Sequence, residues 1–234
     1  MLLGGLQKLT LIDYPGEMAA TVFTIGCNFL CGFCHNSELV DAEKIKVQPR
    51  IKEEDFFKFL KGRVGILEGV CITGGEPTLQ PDLADFLLKI KNLGFDTKLD
   101  TNGTRPEVIE ELLKKDVLDY IAMDIKAPLT QEKYEKITGV KIDIEKIKQS
   151  VEIIKKSGLR YEFRTTVLPT LHSKENIIEI AKALAPANYY FLQQFRQGKT
   201  LSPAFEKEKS YSKKELEEIQ QAVSEYFVKC IIRE

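Results

Sequence analysis

No tryptophan occurs in the 234-residue sequence, and no window approaches the about 18 uninterrupted apolar residues that a membrane-spanning helix needs. An excess of charge is missing too. Lys and Arg number 34 against 35 Asp and Glu, and a net charge of −1 gives no global reason to expect nucleic acid or an anionic membrane as partner. The opening residues, MLLGGLQKLTLIDYP, hold neither a basic region nor a continuous apolar core, so no secretory leader is expected and the cytoplasm is the expected compartment. Repeats, low-complexity tracts and linker-like stretches are absent, which leaves one domain expected over residues 1–234, with its core at about 15–197. Five cysteines are an odd number in a chain this long, and that argues against a small disulfide-stapled scaffold. In a reducing compartment, clustered cysteines serve metals or redox chemistry. The lack of tryptophan beside abundant Lys and Glu predicts a heat-adapted protein.

What is present is an alternation of short apolar runs and amphipathic helices. Hydrophobic residues make up 43% of the chain, enough for a packed core. Apolar and β-branched runs predict strands at 19–25, 70–73, 95–100, 120–126, 160–167 and 189–195. Between them, Leu83, Phe86, Leu87, Ile90 and Leu93 recur at helical spacing from Pro81 to Gly94. Ile109 and Leu112 follow Pro106 in the same manner, and Ile144, Ile147, Val151 and Ile154 follow Asp143. Ser173 opens another helix. Ser212 and Glu215 form a capping box for a C-terminal helix over 212–229, after a solvated Lys/Glu-rich loop at 205–214. Six strand–helix units predict an α/β fold with a parallel sheet. They are too few for a complete eight-stranded barrel, so an open, partial barrel and a doubly wound sheet both fit. In either, ligands bind beyond the carboxyl ends of the strands.

The first of those strand ends runs into Gly26-Cys27-Asn28-Phe29-Leu30-Cys31-Gly32-Phe33-Cys34-His35. Three cysteines spaced C-x3-C-x2-C admit several chemistries. A thioredoxin-like pair does not need Cys27. A c-type haem site would use Cys31, Cys34 and His35 but lacks the export signal. A Cys3His zinc site would need His35 to turn back onto the metal of its neighbour. An iron–sulfur cluster takes thiolates, and three of them on a 4Fe–4S cube leave one iron open to a substrate or cofactor. Cys71, in a strand, and Cys230, in the predicted C-terminal helix, have no cysteine neighbours and are expected to be small buried hydrophobes.

Other strand ends carry polar groups. Thr73-Gly74-Gly75-Glu76-Pro77 offers close backbone approach and a carboxylate able to accept bonds from an ammonium. Asp100-Thr101-Asn102-Gly103 follows the third strand. Asp124 and Lys126, two apart on the fourth, share a face, and an acid and a base at a buried strand end must be paired or bound.

The loop C-x3-C-x-Phe33-C resembles that of radical S-adenosylmethionine enzymes, and Gly74-Gly75-Glu76-Pro77 resembles their GGEP motif. The resemblance implies a 4Fe–4S cluster on Cys27, Cys31 and Cys34. Its open iron would chelate S-adenosylmethionine, whose reductive cleavage yields a 5′-deoxyadenosyl radical. The Asp-Thr-Asn-Gly and Asp-x-Lys phrases narrow the likeness to glycyl-radical-enzyme activating enzymes, which implies a partial, open β/α barrel. They abstract a hydrogen atom from a glycine of a large partner enzyme, and a flavodoxin or ferredoxin serves as reductant. By motif, Phe33, Gly74, Gly75, Glu76, Asp100, Thr101, Asp124, Lys126 and Arg164 would bind the cofactor. Asp100, Thr101 and Asp124 would hold a monovalent cation beside its carboxylate. The family's histidine after the sixth strand is replaced, with Gln193, Gln194 and Arg196 as candidates. The phrase from Gly5 to Gly16 is similar to that of short activating proteins of anaerobic ribonucleoside-triphosphate reductase. One alternative is a member of the superfamily that acts on a small molecule such as a deazaguanine precursor; the other is a non-catalytic iron–sulfur or zinc protein. Residues 38–50 hold no cysteine, so auxiliary clusters are not expected.

Overall fold

The structure, a computed structural model, describes residues 1–233. Its strands are β1 (Leu3–Thr10), β2 (Ala19–Thr24), β3 (Gly69–Gly74), β4 (Asp96–Thr101), β5 (Tyr120–Asp124), β6 (Arg160–Val167), β7 (Ala187–Gln194) and β8 (Phe227–Arg233). Sheet order follows the chain, with β1 and β8 at the two ends, so the sheet is open. β1 runs antiparallel to β2; the pairs β2–β3, β3–β4, β6–β7 and β7–β8 are parallel. This is the open α/β architecture that the alternation predicts.

The chain divides into two compact units. The first comprises Met1–Asn28, Asn36–Thr101 and Arg105–Ile121. It contains α1 (Ser37–Val40), α2 (Ala42–Val47), α3 (Glu53–Lys61), α4 (Leu83–Lys91) and α5 (Pro106–Lys114). α4 buries Leu83, Phe86, Leu87 and Ile90, the face its periodicity predicts. Phe86 stacks on Phe56 of α3 with ring centroids 5.2 Å apart. Each such fully buried side chain contributes about 1.5–3 kcal/mol.

The second unit comprises Phe29–His35, Asn102–Thr104 and the chain from Ala122 onward. Its helices are α6 (Gln131–Thr138), α7 (Ile144–Lys156), α8 (Lys174–Leu184) and α9 (Lys213–Val223). α7 buries Ile144, Ile147, Val151 and Ile154 and starts where Asp143 accepts from the Glu145 N–H. α8 and α9 both open with reciprocal capping boxes, Ser173 with Asn176 and Ser212 with Glu215.

Several expectations are corrected. The described residues hold eight strands, not six. β1 escapes the strand pattern because Gly4 and Gly5 interrupt it and most of it is half-buried or exposed. The C-terminal helix does not extend over 212–229: α9 stops at Val223, a short 3-10 turn follows at Ser224–Tyr226, and the chain leaves as β8. The capping box marks the helix start, but no Gly or Pro marks its end. The β-branched residues Val228, Ile231 and Ile232 then favour a strand. Cys230 therefore lies in a strand, half-buried, and burial pushes its thiol up to about 12. α1, α2, α3 and α6 also lie outside the predicted pattern. α1 and α2 are short, and α2 buries no side chain at all, so it has no apolar stripe to read. Among the described residues no helix is long and apolar enough to cross a membrane.

Candidate functional site

In the first unit, the carboxyl ends of β2 and β3 are stitched together. The Gly75 N–H donates to the Thr24 carbonyl at 2.9 Å and the Glu76 N–H to the Gly26 carbonyl at 2.8 Å, one residue before Cys27. Gly74 has φ +118, a conformation that favours glycine, and a Cβ at Gly75 would stand 2.0 Å from the Gly26 carbonyl oxygen. Only a bare backbone lets the two strand ends approach this closely. Gly75→Ala should therefore cost on the order of 2–3 kcal/mol, read as a lowered melting temperature; an unchanged melt would mean the loop yields freely.

Glu76 is 1% exposed, and its Oε1 is held by three donors: the Thr78 N–H at 3.1 Å, the Thr78 hydroxyl, and the Thr101 hydroxyl at 2.7 Å. The structure thus brings two motif residues, Glu76 and Thr101, into direct contact from β3 and β4. Two further side chains anchor this corner, Gln80 among them unforeseen from the motifs. Gln80 donates to the Ile25 carbonyl at 2.9 Å and Asn36 to the Gly74 carbonyl at 3.2 Å. Asp100 is paired with the buried ammonium of Lys98 on its own strand.

In the second unit, Cys31 is buried and Cys34 half-buried, with the Cys34 N–H donating to the Cys31 carbonyl at 3.0 Å. The loop is backed by a distant segment. Leu201 donates to the Cys34 carbonyl and Ser202 to the Gly32 carbonyl, both at 2.9 Å. The Phe33 ring packs edge-on against His172 and Phe205. His35 stacks on Phe195 at 5.1 Å, and its Nδ1 lies 3.2 Å from the Lys199 carbonyl, so its ring is engaged in packing. Burial pushes the Cys31 thiol up to about 11, with the Lys126 ammonium opposing the rise. A metal that binds the thiolate displaces that proton.

Beyond β5, Asp124 receives Arg164 Nε at 2.8 Å and Lys126 Nζ at 3.0 Å on its two oxygens. Burial alone would raise the Asp124 pKa, but the guanidinium and ammonium outweigh it and hold the carboxyl well below the usual range. Burial likewise depresses Lys126, yet Asp124 overcomes it and keeps the ammonium charged. The chain of charges continues from Arg164 to the fully buried Glu162 at 3.7 Å and on to Arg233 of β8 at 3.5 Å. Arg233 lies over the Phe191 ring, 4.1 Å from its centroid. Gln194 donates to the Tyr211 carbonyl, a structural bond rather than an open polar end.

His172 fixes the backbone of Lys126. Its Nδ1 accepts from the Leu168 N–H, so Nε2 carries the proton and donates to the Lys126 carbonyl at 2.8 Å. Burial holds its pKa below the ordinary 6.5. The unfolded chain therefore takes up a proton that the folded one refuses, and stability falls as the pH drops below about 6.5. Melting temperatures measured from neutral to mildly acid pH should show this slope. His172→Gln, which retains an N–H for the Lys126 carbonyl, should flatten it; an equal slope in both proteins would assign the effect elsewhere.

The donor set suits a thiophilic iron–sulfur cluster: none of the five cysteines is in a disulfide, and three fall within eight residues of one loop. Among the described residues no three His, Cys, Asp or Glu side chains stand grouped as a metal site. A free cation on Asp100 and Asp124 fits less well, because each carboxylate already holds a cationic side chain.

Residues 21–187 match the radical SAM superfamily. The chain is 34% identical over 239 residues to a Methanocaldococcus jannaschii protein provisionally named a glycyl-radical enzyme activating enzyme, covering 99% of this chain and 95% of that one. It is 33% identical to the pyruvate formate-lyase-activating enzyme of Clostridium pasteurianum, over 76% of this chain and 74% of the relative. A 7-carboxy-7-deazaguanine synthase of Thermococcus kodakarensis is 28% identical over 69% of each chain. Among solved structures, Streptococcus suis SuiB bound to S-adenosylmethionine superposes with a TM-score of 0.69 at 18% identity, which shows a shared fold. The match covers 90% of this chain but 48% of SuiB, so the chain spans about half the length of that structure. Motif, fold and relatives agree that the chain belongs to the radical SAM superfamily and, within it, to the glycyl-radical-enzyme activating enzymes.

Proposed function

We propose that this chain activates an anaerobic ribonucleoside-triphosphate reductase by making a glycyl radical on it. Cys27, Cys31 and Cys34 would hold the 4Fe–4S cluster, and a flavodoxin or ferredoxin would reduce it. When bound, the cluster supplies the electron that cleaves S-adenosylmethionine and so starts hydrogen-atom abstraction from a glycine Cα. The chain's residues bind, orient and shield. Gly74 and Gly75 present a bare backbone, and Glu76, fixed by Thr78 and Thr101, presents a carboxylate to the methionyl ammonium. Asp124, Lys126 and Arg164 form a rigid charged row for the cofactor's polar groups, and Phe33 packs the cysteine loop. No general base is needed, because hydrogen leaves as an atom.

The observation that carries this reading is the backbone stitch between Gly75-Glu76 and the strand end leading to Cys27. It joins the two motifs that define the chemistry. The choice of partner rests on the similarity of the Gly5–Gly16 phrase. A small-molecule substrate is the second reading, favoured by the 28% identity to a 7-carboxy-7-deazaguanine synthase. Electron paramagnetic resonance distinguishes them. Reduced, reconstituted protein with S-adenosylmethionine should produce a carbon-centred doublet when anaerobic ribonucleotide reductase is added. No doublet with that partner, or one with a different glycyl radical enzyme, would reject the proposed target.

A further inference from the structure

Lys98 has no part in the site as read from the motifs. It stands on β4 two residues before Asp100, so both side chains project from one face of the strand. Its side chain is 0% exposed, and its ammonium bonds Oδ1 of Asp100. Two other groups approach the same nitrogen: Cys71 Sγ of β3 at 3.8 Å and the Tyr120 ring, 5.5 Å from its centroid. A lysine taken wholly out of water is costly unless its charge is balanced. Here one carboxylate balances it, and the aromatic face and polarizable sulfur add to that.

The pairing has a consequence for Asp100. Its charge is neutralised before any ligand arrives. A free cation brought to the same carboxylate would lie close to the Lys98 ammonium, where little water screens the repulsion. Asp124 repeats the arrangement with Lys126 and Arg164. The two carboxylates that resemblance assigns to a monovalent ion thus each carry a cation built into the chain.

We propose that the Lys98 ammonium is a tethered counter-cation for Asp100, taking the place of a free monovalent ion, so that this protein binds its cofactor without Na+ or K+. The inference rests on the S-adenosylmethionine reading of the site. Lys98 acts through Asp100 and is a positioning residue. Any lysine that merely filled space would leave no trace in the ion dependence of binding.

The test measures the S-adenosylmethionine Kd of the reconstituted protein in choline chloride and in KCl or NaCl at equal ionic strength. Wild-type protein should bind within about twofold in all three, whereas Lys98→Met should lose about tenfold or more in choline and recover in KCl or NaCl. Cation dependence in wild type, wild-type affinity of Lys98→Met in choline, or a loss that neither ion restores would each overturn the proposal. A second arm needs no cofactor. The melting temperature of wild type should be the same in choline and KCl, while KCl should raise that of Lys98→Met. Equal melts of the variant in both salts would overturn it. Lys98→Gln serves both arms if the Met variant does not fold. Failure of wild type to bind S-adenosylmethionine in any salt would overturn the reading of the site itself, and the melting arm would still decide the role of Lys98.

Discussion

Cys31→Ala is expected to abolish 5′-deoxyadenosine formation and to lower the iron that anaerobic reconstitution places on the chain, from about four per chain in wild type. Cys31 is buried in a loop whose two ends are tied to other segments, Leu30 to the Thr138 carbonyl and Cys34 to Leu201. Cys71 is fixed in β3 and Cys230 in β8, each within a paired strand. The alanine variant should therefore remain folded while losing the cluster. Cys230→Ala provides the contrast: iron, sulfide and activity should all stay near wild type. Iron analysis and the reduced-cluster spectrum check both. Retained 5′-deoxyadenosine formation in Cys31→Ala would refute the ligand assignment, and loss of iron in Cys230→Ala would enlarge the ligand set.

Asp124→Asn is expected to lower stability strongly. It leaves Arg164 and Lys126 facing each other with their shared carboxylate gone. Breaking a fully buried pair costs about 3–5 kcal/mol; this carboxylate keeps some solvent, so about 2 kcal/mol is expected. For a chain of this size that is a fall of roughly 4–8 °C in melting temperature. Because the folded carboxyl is held well below its unfolded value, its contribution is present above about pH 4 and is lost as the pH falls through the folded value. Wild type should therefore lose stability on strong acidification more steeply than the variant. S-adenosylmethionine affinity should weaken as well, since Lys126 and Arg164 lose the group that orients them. A variant with the wild-type melt would show that the row of charges contributes nothing net.

The chemistry was far more legible in the sequence than the frame around it. Three cysteines in eight residues and the run Gly74-Gly75-Glu76-Pro77 are local signals, and local spacing is what a sequence displays. The helices α4, α5 and α7, with clear stripes, were readable for the same reason. β8 was not: the helix before it has a start signal and no stop signal, so the pattern ran on past Val223. Lys98 was also hidden. A lysine between Thr97 and Leu99 reads as a solvent-facing strand residue, and only the neighbouring Cys71 and Tyr120 show that it points into the interior. His172 shares this character, as a lone histidine whose two bonds reach Leu168 and Lys126. Residues of this kind act through contacts made by folding, which single-sequence periodicity does not contain.

The segment that backs the cysteine loop sets an order of events in biogenesis. The Cys34 carbonyl receives its bond from Leu201, and Gly32 from Ser202, so these contacts close across most of the chain. Contacts of such long separation form late in folding. During synthesis, the cysteine loop remains without this support until residues near 200 have followed. The loop's backing is thereby complete only once residues near 200 are in place.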